Sequence, residues 1–223
     1  MNSSLRPAAY LLVMLPALSL FSYSQVKVTV NLNTGLAATP AFKFAEVPPP
    51  TRDNAATGAK LLLVDGEIDP GSAGLGALTD GILPVEADDP HSNFFFTAGG
   101  QGGRVRMDLG AVREILQVNT YSWHPDSRGP QVYKLYASDG TDPKFNAAPK
   151  NDLDPSANGW KLIATVDTRD SQGEGGGQYG VSITDAKGTL GKFRYLLFDC
   201  FETEDLDNWG NTFYSEIDVQ AKK

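Results

Sequence analysis

Cysteine is almost absent from this chain. Cys200 is the only one among 223 residues, which rules out an intramolecular disulfide and any multi-cysteine zinc site. Histidine is nearly as scarce, and His91 and His124 are too few for a histidine-rich transition-metal centre. Basic side chains number 19 against 27 acidic ones, so a formal charge of -8 leaves nothing to neutralise a run of phosphates and excludes nucleic acid as a partner. No window of a dozen residues after position 25 keeps a 3.6-residue apolar period, so long amphipathic helices are not expected. The glycine clusters at 99–103 and 173–177 lack a following Lys-Ser/Thr and a helix, and belong to turns rather than to a phosphate cradle. A nucleophile-elbow sequence is missing too.

What remains is ordinary globular composition, 41% hydrophobic and 21% charged, with 23 glycines and 14 prolines that point to many turns. At the N-terminus Arg6 precedes an apolar run, Ala8 to Phe21, and Ser22 and Ser24 stand at the -3 and -1 positions of a cut before Gln25. A spanning helix needs ~20 apolar residues and Pro16 would kink this shorter one, so residues 1–24 read as a removable secretory signal. No cysteine follows to carry a lipid anchor. The expected mature protein is exported, one charge more acidic through the loss of Arg6, and without a transmembrane segment.

Residues 25–54 read as an N-terminal strand (Val26–Val30, alternating at period two) and a linker stiffened by Pro48-Pro49-Pro50. Residues 55–223 form the body. Its apolar segments are short and β-like: 60–64, 104–109, 115–122, 131–137, 160–166, 179–183, 193–201 and 213–219. Strands of this length separated by turn chemistry predict an all-β sandwich or barrel.

Three signatures occur in order. The first is Ala77-Leu78-Thr79-Asp80-Gly81. The second is Arg104-Val105-Arg106-Met107-Asp108-Leu109-Gly110. The third is Tyr133 to Gly140, with Ser138-Asp139-Gly140 at its end, then Trp160-Lys161-Leu162-Ile163, closing with Ser215-Glu216-Ile217-Asp218-Val219. Over about residues 55–220 this order resembles the discoidin or coagulation-factor C-type domain, the galactose-binding-like jelly-roll β-sandwich that includes the family 32 carbohydrate-binding modules. Two departures stand out: one cysteine cannot make the disulfide of many vertebrate members, and Phe94-Phe95-Phe96 replaces the tryptophan usual after the Asp-Gly loop. The motifs also make physical sense, since aspartate oxygens satisfy turn amides and the glycines accept positive φ.

The resemblance implies a structural Ca²⁺ between Asp80 and Glu216, with loop carbonyls completing a shell of six to eight oxygens. The competing reading is a capped turn at Asp80 and a solvent-facing Glu216. It also implies a carbohydrate or glycoconjugate ligand on the end loops. The segment from Tyr121 to Arg128 reads as a loop carrying Trp123, His124 and Arg128, and a second loop carries Trp209 and Asn211. Indole faces stack on a pyranose while His, Arg and Asn bond its hydroxyls. Against this stands a placement with both indoles pinned into the sandwich ends, and Arg128 paired with Asp126 or another local acid. A glycoside-hydrolase reading of Glu216-Ile217-Asp218 fails because Ala221 stands where a further glutamate is required. The sequence therefore predicts an exported, non-catalytic sugar-binding module, with a structural or adhesive module as the alternative.

Overall fold

The computed structural model describes residues 25–169, 175–204 and 210–223, so the signal segment 1–24 and Trp209 lie outside the described residues. Eight strands carry the fold: β1 Val26–Asn33, β2 Lys60–Asp65, β3 Gly103–His124, β4 Val132–Ser138, β5 Lys161–Asp167, β6 Gly177–Asp185, β7 Gly191–Cys200 and β8 Tyr214–Ala221. All pairings are antiparallel. The helices among the described residues are short 3-10 turns, and none is long and apolar enough to cross a membrane.

Two strands expected from the sequence, 104–109 and 115–122, are one. Asp108 Oδ1 accepts the Gly110 amide (2.9 Å) and Gly110 takes φ +79°, as its motif suggested, but the chain does not stop there. The pairing register shifts between Asp108 and Arg113, and β3 continues. A strand has only two edges, yet β3 has four partners. Its first part lies between β2 and β7 and its second between β6 and β8. The ladder thus divides into two layers, β2-β3-β7-β4-β5 and β1-β6-β3-β8, sharing β3. Val105, Met107, Leu135 and Leu196 from the first layer bury against Val118, Val181, Ile183 and Ile217 from the second. This is the β-sandwich that alternating short strands predict. Phe94 and Phe96 close the core at ring centroids 5.1 Å apart, in place of a tryptophan, while Phe95 stacks on Phe213.

Residues 25–54 are not a tether. β1 pairs with β6 in an unbroken register from Val26↔Asp185 to Asn33↔Gln178. The chain then crosses the outer face of the second layer. Phe42 and Val47 bury against Tyr121 and Trp123, and Phe44 lies so close to Gly180 that a Cβ there would stand 2.7 Å from its ring. At the proline run the Tyr121 hydroxyl donates to the Pro48 carbonyl (2.6 Å). The outer face of β8 carries acids at alternate positions, and one of them, Asp218, receives the leader's Thr51 amide and Asn54 side chain.

The long connection from β4 to β5 is held to the first layer by several side chains, one of them buried. Arg104 forks onto Asp199 through Nε (2.8 Å) and Nη2 (3.2 Å), and its Nη1 donates to the carbonyls of Pro149, Lys150 and Leu153. Arg106 reaches the Ala147 carbonyl, Lys150 the Val64 carbonyl, and Asp65 accepts the Asn151 amide. Breaking one side of a buried, hydrogen-bonded ion pair costs about 3–5 kcal/mol. Arg104→Ala is expected to lower the unfolding free energy by that order in a urea titration. Arg104→Lys should recover only part, since an ammonium cannot fork. A loss under about 1 kcal/mol in the alanine variant would mean that the connection is held by its other contacts.

Candidate ligand-binding site

β3 carries the sequence-nominated aromatics to one end of the sandwich, but as strand residues. Trp123 pairs with Gln178 and His124 with Gly177, so both belong to the ladder and not to a loop. Their place at the end of β3 matters because the leader covers Trp123 there. Trp123 meets Phe42 edge-on at 5.8 Å and is 6% exposed. Large aromatics bury when a distant segment supplies the lid, and here that segment lies some eighty residues upstream.

What stays open is a strip of Trp123 and one side of His124, which line a cavity of about 290 Å³ together with Thr34, Ala38, Ala87, Pro125 and Gly176. His124 Nδ1 accepts the Asp126 amide (3.1 Å), which leaves the proton of the neutral ring on Nε2. Burial is the main cause holding the imidazole below its ordinary pKa, with Asp88 opposing it, so the ring is neutral at pH 7 and a donor at Nε2. That nitrogen is 3.7 Å from Asp88 Oδ1, on an exposed carboxylate. Thr34, Ala38, Ala87 and Asp88 were not legible as site residues. They come from the supposed linker and from the stretch after the Asp-Gly loop, and only tertiary packing brings them to β3.

Arg128 and Asn211 sit elsewhere, buried in a brace beneath this end. The Arg128 guanidinium lies against the stacked pair of Phe95 and Phe213, 4.6 Å and 4.1 Å from their ring centres, and Nε donates to the Asn211 carbonyl (3.0 Å). Asn211 Nδ2 donates to the carbonyls of Thr97 and Gly100. Neither residue is displayed on an open rim. Two phenyl rings and a backbone carbonyl are among the contacts of Arg128. His124 joins this brace from above, edge-on to Phe213 at 4.7 Å.

The Asp-Gly loop and the last strand do meet. Glu216 Oε2 accepts the Gly81 amide (2.8 Å), while Asp80 Oδ1 caps the Ile82 amide (2.7 Å). Glu216 is buried, not solvent-facing, so half of the capped-turn reading holds and half does not. Beside it Asp218, which the sequence offered only as part of a rejected hydrolase motif, is fully buried. It accepts the Thr51 amide through Oδ2 (2.9 Å) and the Asn54 side chain through Oδ1 (3.0 Å). The sequence signal was there: acids at alternate positions of an apolar strand share one face.

Burial pushes Glu216 up to about 8, with Asp218 and Asp80 adding to it and the Gly81 amide opposing. Burial likewise pushes Asp218 up to about 7 against the Thr51 amide. Among the described residues no group of three or more His, Cys, Asp or Glu side chains is disposed to hold a metal ion. The Asp80–Glu216 pair itself offers only hard oxygen donors, which suits Ca²⁺ once carbonyls or waters complete its shell.

The sign of the resulting pH dependence follows from linkage. A carboxyl whose folded pKa is raised contributes stability that is complete below its unfolded value near 4 and is lost as pH rises through the folded value. His124, lowered on folding, acts oppositely. In chelator, the melting temperature is expected to fall between pH 5 and pH 8, and Asp218→Asn should remove on the order of 5–10 °C of that fall. Equal slopes in the two proteins would mean that Asp218 ionises as it does in water.

No protein-family model matches the chain and no curated protein matches it. Similar solved structures include a CBM32 module produced by Clostridium perfringens, in complex with glcNAc-alpha-1,4-galactose. It shows 10% identity over 76% of this chain and 93% of that one, with a TM-score of 0.47. A Streptococcus pneumoniae fucose binding module is 14% identical over 77% of this chain and 99% of that one, also at 0.47. A family 89 glycoside hydrolase from Clostridium perfringens, in complex with PUGNAc, is 15% identical over 76% of this chain, with a TM-score of 0.44, and the chain spans 15% of its length.

Proposed function

We propose that this chain is an exported, non-catalytic module that binds a carbohydrate in the Trp123–His124 cavity. The observation that carries the reading is the cavity's make-up: an apolar indole strip and a neutral imidazole donor around about 290 Å³, with the Asp88 carboxylate 3.7 Å from the imidazole Nε2. A pyranose presents a C–H face to the first and hydroxyls to the other two. The ordered Asp-Gly, Asp-Leu-Gly and Ser-Asp-Gly motifs support the same reading, each aspartate capping a backbone amide two residues on. Export rests on residues 1–24 as a sequence. The Glu216 and Asp218 carboxyls are engaged by backbone and side-chain donors and are almost wholly buried, which gives the non-catalytic reading its support.

The test is binding to an immobilised glycan array by wild type and two variants. Trp123→Ala should abolish binding, and Ala87→Trp, which plugs the cavity from a half-buried wall, should weaken it at least tenfold with an unchanged melting temperature. Binding that survives the plug would remove the ligand from this cavity. No binding by wild type to any glycan would leave the structural or adhesive module as the better reading.

We also propose that Ca²⁺ sits between Asp80 and Glu216 and serves stability alone. Its charge would compensate the buried Glu216 carboxylate and fix the Asp-Gly loop on β8. Chelation is then expected to lower the melting temperature of wild type, and Asp80→Asn to erase the difference. An identical melting curve for wild type with and without chelator would dismiss the ion.

A further inference from the structure

A second groove lies at the opposite end of β4. Tyr133, near the start of that strand, pairs with Cys200, whereas Ser138 at its end pairs with Tyr195. The Trp123 cavity belongs to the end where β3 finishes and β6 begins, and the groove to the end where β4 finishes and β5 and β7 begin. It encloses about 530 Å³, more than the Trp123 cavity. One wall is the turn at Asp139 and Asp142, another is Ser156 and Lys161, and Trp160 and Phe193 provide apolar surface.

The groove is built rather than incidental. More than twenty residues connect β4 to β5, a length that compact domains rarely carry without a use. This connection is fastened by Arg104 to three of its carbonyls. Near the groove, Trp160 Nε1 donates to the Asn146 carbonyl (2.8 Å) and Ser138 donates to the Gly159 carbonyl (2.7 Å). Gly159 takes φ +78° and Gly140 φ +83°, and a Cβ at either would stand within 3 Å of Phe145 or Tyr195. The carboxylates of Asp139 and Asp142 are exposed, and each uses Oδ1 to cap its own turn, on Thr141 and Lys144. The Lys161 ammonium stands 5.9 Å from the centre of the Phe193 ring.

Such a set is mixed: acceptors in pairs, one cationic donor, a hydroxyl and an aromatic face. It is poorly matched to a strongly charged ligand, because carboxylates repel anions and the ammonium repels cations. It is well matched to a neutral polyol, whose neighbouring hydroxyls donate to the carboxylates and accept from the ammonium while its C–H face covers Phe193. We infer that the groove between the 139–143 turn, Lys161 and Phe193 is a second carbohydrate site, making the chain bivalent. This rests on the carbohydrate reading of the Trp123 cavity. Two sites at opposite ends of one rigid sandwich let a single chain bridge two glycans, and on a multivalent surface that multiplies a weak affinity through effective concentration.

The test is an amide and indole NMR titration of the intact protein with D-galactose, L-fucose and N-acetyl-D-glucosamine, each at millimolar concentration. The expected result is two separate sets of shifted resonances for at least one sugar, one around Trp123 and His124 and one around the Trp160 indole N–H and Phe193. Ala87→Trp should abolish the first set only. Asp142→Lys and Lys161→Glu, both at exposed positions, should abolish the second only. Shifts confined to the Trp123 set would overturn the second site and leave the first standing. Shifts confined to the groove, lost in its two variants, would keep the groove as a sugar site but overturn bivalency and remove the ligand from the Trp123 cavity. No shifts with any of the three sugars would overturn both.

Discussion

One strand serves both layers of this sandwich, and the rest of the molecule is arranged around that fact. β3 runs from Gly103 to His124 and exchanges hydrogen bonds with β2, β7, β6 and β8. A strand with partners on both edges cannot slip register without turning its side chains to the wrong face. Because the same strand fixes both sheets, it also fixes how they face each other. The brace beneath the Trp123 cavity follows from its far end, and the ledge that receives the β4–β5 connection follows from Arg104 at its near end.

The second constraint is the cover on the outer face of the β1-β6-β3-β8 layer. An antiparallel sheet can leave one face in water, and here that face is instead buried beneath residues 34–57. The aromatic residues under this cover are content to be buried. The carboxyls are less so, and each is met by donors from the covering chain or the Asp-Gly loop: Thr51 and Asn54 for Asp218, Gly81 for Glu216. The leader's placement and the raised proton affinity of these acids are therefore the same event seen from two sides.

Much of this was legible in the sequence, and the exceptions share a cause. Strand positions followed from β-branched and aromatic runs. Asp108, Asp139 and Gly110 behave in their turns as their motifs indicate, and the Phe94–Phe96 run fills the core where a tryptophan was missing. These are local relations, and local relations can be read along a chain. The fate of Trp123 could not, because it depends on Phe42 arriving from the leader. Nor could that of Arg128, which reads as a polar hydrogen bonder until Phe95 and Phe213 close on it. The same limit applies to Gly110, which correctly marks a turn of the backbone yet does not end the strand, since β3 finds new partners beyond it.

Cys200 closes β7 in contact with this same core, 6% exposed, its thiol pushed up to about 12 by burial. The thiolate is the reactive form of cysteine, so the folded protein withholds its lone sulfur from oxidants and from other copies of itself. The sulfur becomes available only when β7 parts from its neighbours. A single internal clock for that opening is thereby written into the chain, and its rate of alkylation would keep time with the breathing of the sandwich.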